Sequence, residues 1–150
     1  IVPPSPANVP PASSLVMAVR YWGPRSSGAY EFNSLLPSAG RLAFGSDAPV
    51  ESPNPFLGLH AAVPRQRPNG EPGEMGWYPE QRLELFQALQ AYTTGPAFAA
   101  GTEDRQGKLV PGYFADLILL ETDPFTLPPR LLHAVKPLAT MVAGEWVWQA

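Results

Sequence analysis

Arg41-Leu42-Ala43-Phe44-Gly45-Ser46-Asp47-Ala48-Pro49-Val50 is the stretch on which the reading of this chain turns. The apolar run Leu42 to Phe44 predicts the end of a buried strand, and Gly45 lets the backbone turn sharply before a lone carboxylate at Asp47. Pro49, Pro53 and Pro55 follow at once, so the strand cannot continue. Asp47 is therefore expected at its carboxyl end, on a loop mouth, where α/β folds keep their chemistry. Residue chemistry alone leaves three roles open for it: metal ligand, general base, or cap or turn residue for the next helix.

Working outward, Leu15 to Trp22 predicts a short helix ended by Gly23-Pro24-Arg25. Gly28 to Leu36 predicts a second, with Tyr30, Leu35 and Leu36 on one face and Gly40 as its stop. That helix feeding the Leu42 strand is one α-to-β step of an α/β fold. Downstream, Phe56, Leu59 and Val63 recur at helical spacing, with His60 on the same stretch. A lone histidine with no second ligand at i+4 reads as a packed or surface residue rather than a metal site. Residues 66–79 are rich in glycine and proline and predict a long loop, in which Trp77 and Tyr78 either line a substrate pocket or pin the loop to the body. Leu85, Phe86, Leu89 and Tyr92 mark a helix from about Glu84 to Thr94, broken by Gly95-Pro96 and followed by a short helix that Gly101 ends.

The chain then becomes β-like. A short strand is expected at Lys108 to Val110 between Gly107 and Gly112, another at Ala115 to Leu120, and a hairpin of Leu138–Val142 with Glu145–Trp148 across Ala143-Gly144. Trp146 and Trp148, two apart, are expected on one face, buried rather than exposed as an aromatic binding platform. Three parts follow: a proline-rich extended lead-in at 1–14, an α/β part at 15–104 and a β part at 105–150.

Composition excludes several classes. A net charge of -3 without a Lys/Arg cluster excludes a nucleic-acid footprint. No cysteine is present, so thiolate zinc sites and cysteine nucleophiles are excluded. No apolar run approaches the roughly 18 residues of a membrane span. The start, Ile1-Val2-Pro3-Pro4, has neither the basic region nor the apolar stretch of a secretory signal and no initiator Met, so a fragment or processed chain in the cytoplasm is expected. There is no Gly-x-Ser-x-Gly elbow and no phosphate loop, and Ser46 has no convincing histidine base.

Arg41 to Glu51 with Asn54-Pro55-Phe56-Leu57-Gly58-Leu59-His60-Ala61-Ala62-Val63-Pro64-Arg65 closely resembles the end of the catalytic barrel in metal-dependent amidohydrolases, in the branch that includes N-substituted formamide deformylases. Ala88-Leu89-Gln90-Ala91-Tyr92-Thr93-Thr94-Gly95-Pro96-Ala97 and Gly107 to Leu120 are similar to later parts of the same family, in the family's order. The resemblance implies the C-terminal fragment of a TIM (β/α)8 barrel followed by part of a small β-sandwich; 150 residues are too few for a whole barrel of about 250. It further implies hydrolysis of a carbon-nitrogen bond in a small-molecule amide. In the complete enzyme a divalent metal, zinc by expectation, would lower the pKa of bound water toward about 7. Asp47 matches the family's late-strand aspartate, a metal ligand that also takes the water's proton, and Trp77 and Tyr78 would sit at the pocket rim. The paired His-x-His of the family's first strand has no counterpart, and Pro6 falls where a further ligand histidine is expected. One aspartate cannot hold zinc, which takes about three protein ligands even when catalytic. The isolated chain is therefore expected to be inactive and metal-free, completed by a missing N-terminal segment or by association. The alternative is a non-catalytic remnant or interaction module that has lost the metal site.

Overall fold

The computed structural model describes residues 7–8, 18–49 and 51–150. Strand β1 (Ala7–Asn8) is followed by helical residues 18–22, a 3-10 turn (Gly23–Gly28), helix α1 (Phe32–Ala39) and strand β2 (Phe44–Gly45). Next come helix α2 (Pro55–Ala62), a 3-10 turn (Pro79–Gln81), and helices α3 (Leu85–Tyr92) and α4 (Thr94–Ala99). The remainder is strand β3 (Leu117–Leu120), a 3-10 segment (Pro129–Ala134) and strands β4 (Pro137–Val142) and β5 (Glu145–Gln149).

β1 and β2 pair in parallel, Ala7 with Phe44 and Asn8 with Gly45. Parallel neighbours need a crossover, and the helical segments between residues 18 and 39 supply it. Within the proline-rich lead-in expected at 1–14, proline disfavours an interior strand because it lacks a backbone N–H. The pairing falls in the window between Pro6 and Pro10, where backbone N–H groups are present. Pro6 and the rest of the lead-in lie outside the described residues.

α1 begins four residues later than the spacing predicts. Tyr30 takes φ +59°, a conformation that no helix continues, so Phe32 and Leu36 face the core while Leu35 is exposed. Gly40 ends the helix at φ +71° with its N–H donating to the Leu36 carbonyl. α2 starts at Pro55 under an Asn54 cap, whose side-chain oxygen accepts from the Phe56 N–H at 3.0 Å. Phe56, Leu59, His60, Ala61 and Ala62 are all buried, while Leu57 is exposed, so most of this helix is enclosed and one edge meets solvent. On α3 the small residues Ala88 and Ala91 face inward, and Phe86, expected in the apolar stripe, is exposed.

Two close approaches lock the helices together. Tyr92 lays its hydroxyl against Gly58 of α2, where a Cβ would collide with it, and burial pushes the phenol up to about 12. Gly95 sits against the Leu42 carbonyl, so the α3–α4 corner rests directly on the entry to β2.

β3, β4 and β5 form one antiparallel sheet. The hairpin expected across Ala143-Gly144 is present, clamped by the Asp116 carboxylate, which accepts from the Ala143 N–H at 2.8 Å. No strand forms at Lys108 to Val110: Gly107 and Gly112 both take positive φ, and the Phe114 N–H bonds back to the Arg105 carbonyl, closing a loop instead. The tryptophans also differ from expectation. Trp146 pairs with Met141 but Trp148 with Thr140, adjacent residues that face opposite sides of β4. Val147 is the extra residue of a bulge, which puts the two rings on opposite faces, and they are 49% and 46% exposed rather than buried.

Gly95→Ala should cost about 1–3 kcal/mol in urea unfolding, because the added methyl meets a carbonyl rather than a movable side chain. A change under about 0.5 kcal/mol would mean that this contact is slack.

Candidate functional site

Leu42, Ala43 and Phe44 are buried, and the chain surfaces through half-buried Gly45 and Ser46 to exposed Asp47. Phe44 is held between the Phe32 ring at 5.0 Å and the Tyr92 ring at 5.5 Å. The sharp turn falls on Asp47 itself, at φ +52°, and not on Gly45, which remains in the strand. Aspartate tolerates the left-handed region better than most residues, so the turn and the carboxylate coincide. Capping of the next helix falls to Asn54.

Trp77 and Tyr78 lie beside a different cluster. Trp77 is buried against Ala18, with the Tyr30 ring at 6.1 Å and Tyr78 edge-on at 4.5 Å. Tyr78 is half-buried; since Ser26 Oγ donates to the Gly23 carbonyl, the Tyr78 hydroxyl donates to Ser26 at 3.0 Å. The loop before them is a chain of turns: the Arg67 N–H bonds the Glu71 carbonyl, and the N–H groups of Gly70, Gly73 and Gly76 bond the carbonyls three residues earlier. Gln66 Nε2 reaches the Gly73 carbonyl, and Arg67 pairs with Glu71 at 3.0 Å.

Residue-by-residue reading missed the group that organises this loop. Arg65 is 0% exposed and sits at φ +54°. Its Nε donates to the Trp77 carbonyl at 2.6 Å and its Nη1 to the Tyr30 carbonyl at 3.2 Å. The guanidinium lies over the Trp77 ring at 4.8 Å and the Phe32 ring at 5.7 Å. Burial lowers it to about 10, which still leaves it charged at neutral pH, and Nη2 has no protein partner. One cation thus joins the loop, the α1 entry and the end of α2. The signal available in the sequence was an arginine at the close of an apolar helix, just ahead of an aromatic-bearing loop.

His60 is 2% exposed and meets His133 edge-on at 4.8 Å. Burial lowers it to about 4, with the adjacent His133 adding to the effect, against the pull of the Arg130 and Gln66 backbone. Among the described residues no three His, Asp or Glu side chains gather as a metal site. The carboxylate at Asp47 is one hard oxygen donor, and the described donor set does not by itself fit a catalytic metal.

The chain belongs to the amidohydrolase family, whose sequence pattern matches residues 7–148. Within that family it is 32% identical over 125 residues to YtcJ of Bacillus subtilis (strain 168), a protein named as a candidate amidohydrolase; the match covers 83% of this chain and 23% of that one. It is 30% identical over 115 residues to an N-substituted formamide deformylase of Arthrobacter pascens, covering 77% of this chain and 20% of the relative. An uncharacterized metal-dependent hydrolase of Pyrococcus horikoshii OT3 superposes with a TM-score of 0.59 at 29% identity, over 77% of this chain and 24% of that one. The chain therefore spans about a fifth to a quarter of the length of these proteins. No helix among the described residues is long and apolar enough to cross a membrane.

Arg65→Met should cost about 2–3 kcal/mol, the value of charge-assisted hydrogen bonds to carbonyls that the thioether cannot replace. Unfolding in urea followed by tryptophan fluorescence checks this. An unchanged midpoint would mean that the aromatic packing holds the loop unaided.

Proposed function

We propose that this chain is the C-terminal portion of a metal-dependent hydrolase that cleaves carbon-nitrogen bonds in small non-peptide amides, with Asp47 as its late-strand catalytic carboxylate. The observation that carries the reading is the placement of Asp47: exposed, immediately past the carboxyl end of a buried strand that pairs in parallel with an earlier one. Parallel pairing with a helical crossover is the repeating step of a (β/α)8 barrel, which supports taking residues 15–104 as late barrel segments. The sheet of β3 to β5, with Ile118, Leu138, Val142 and Trp148 exposed, supports taking 105–150 as part of a β-sandwich whose second layer lies elsewhere in the complete protein.

In this reading Asp47 ligates the metal, zinc by preference, and accepts a proton. The remaining ligands come from residues other than those described here, because one carboxylate falls short of the usual three protein ligands. Left-handed φ at Asp47 holds the carboxylate on a turn instead of a mobile stem. Half-buried Tyr78 contributes to the pocket rim, and buried Trp77 supports it from behind through Arg65. The amide class follows from the similarity to the formamide deformylase, whose name states its chemistry.

In the full-length protein, Asp47→Asn should lower turnover of an N-formyl or N-acyl amine by about 10²–10⁴-fold, the usual share of a positioned acid-base group. Its unfolding midpoint should move far less than its turnover, since asparagine has the same shape and also tolerates the left-handed φ of this position. Wild-type turnover by Asp47→Asn would remove Asp47 from the chemistry.

A further inference from the structure

We propose that the contact between His60 and His133 is an acid-sensitive latch that fastens the three-stranded sheet to the helical part of the chain. The sheet is attached to the helical part chiefly at one place. Its principal anchor is the Pro129–Ala134 segment between β3 and β4, which packs along α2; no strand of the sheet makes a comparably extensive contact with a helix. Leu132 and Val135 are the segment's apolar plug, buried in the same core as Leu59. His133 is the polar component beside that plug, placing its ring edge-on to His60 at 4.8 Å. His133 Nδ1 is buried with no hydrogen-bond partner, and His60 is 2% exposed. Two imidazoles in this arrangement pack well when neutral. A proton on His60 would put a cation into the middle of an apolar interface.

Among the described residues on the elements packed against His60, no acid is placed to neutralise that cation. α2 carries no charged residue besides His60, and α3, which packs on it, carries none. On the Pro129–Ala134 segment the other charge is Arg130, which is repulsive. Beyond α2 come Arg65, committed to the Trp77 and Tyr30 carbonyls, and Arg82, which donates to the Glu74 carbonyl. The carboxylates of Glu74 and Glu84 line the open cleft shared with Arg82 and Arg130, and both residues are exposed.

The sign follows from linkage. Burial holds His60 neutral to about pH 4, whereas the freed ring takes its proton near 6.5. Between those values the open junction binds one more proton than the closed one, so opening is favoured by acid, by up to about tenfold per pH unit. Above pH 6.5 the latch is closed and insensitive to pH.

Hydrogen exchange by mass spectrometry on the full-length protein tests this between pH 7.5 and 5.0, corrected for intrinsic exchange. Peptides covering residues 55–62 and 129–135 should lose protection below pH 6.5 at close to the one-proton slope, and His60→Gln should flatten that slope. Pro129–Val135 protection that is independent of pH would overturn the proposal, as would an equal acid slope in His60→Gln, which would assign the effect to carboxylates. Should His60→Gln fail to fold, the imidazole proton resonances of the wild type decide. A His60 ring that stays neutral below pH 5.5 in the closed form supports the latch, and one that titrates near 6.5 with the junction closed overturns it.

Discussion

Burial of Leu42, Ala43 and Phe44 forces the chain to surface at Gly45 and Ser46, and so fixes Asp47 just outside the core. Several other contacts protect that strand. Phe32 and Tyr92 bracket Phe44 from α1 and α3, Gly95 lets α4 meet the Leu42 carbonyl, and Ala7–Asn8 supplies the parallel neighbour. Any loosening of this packing moves the carboxylate, because only Gly45 and Ser46 separate it from Phe44. The position of Asp47 is thus a property of the core, and the chemistry proposed for it rests on one loop residue.

Arg65 is a second organising group. It draws together backbone carbonyls from the α1 entry and the Trp77 loop and covers its charge with two aromatic rings. A buried cation needs such a set of acceptors to be tolerated at all. The result is a long loop that satisfies its own backbone through successive turns and is held to the body at its aromatic end.

Much of this was legible in the sequence, for definite reasons. The Leu42–Phe44 run followed by prolines announced a strand end, Phe56, Leu59 and Val63 at helical spacing marked a helix, and Ala143-Gly144 marked the hairpin. Less was legible where the outcome depended on partners distant in the chain. Left-handed φ values at Tyr30 and Asp47 are not signalled by local sequence, so α1 starts later than its spacing predicts and the turn falls on Asp47 rather than on Gly45. The bulge at Val147 inverts the relation between Trp146 and Trp148, which alternation alone places together. Lys108 to Val110 found no strand to pair with, and β-like composition without a partner is a loop. Arg65 and the His60–His133 pair were invisible because their importance lies in burial, which single residues do not disclose.

Asp47 is proposed as the carboxylate that a metal-dependent amidohydrolase presents at the end of a late strand. An anomalous-difference X-ray map of the full-length protein, loaded with zinc, would decide whether it is. The prediction is a metal peak at about 2.0–2.2 Å from an Asp47 carboxylate oxygen. A bound metal coordinated elsewhere, with Asp47 outside its ligand sphere, would contradict it.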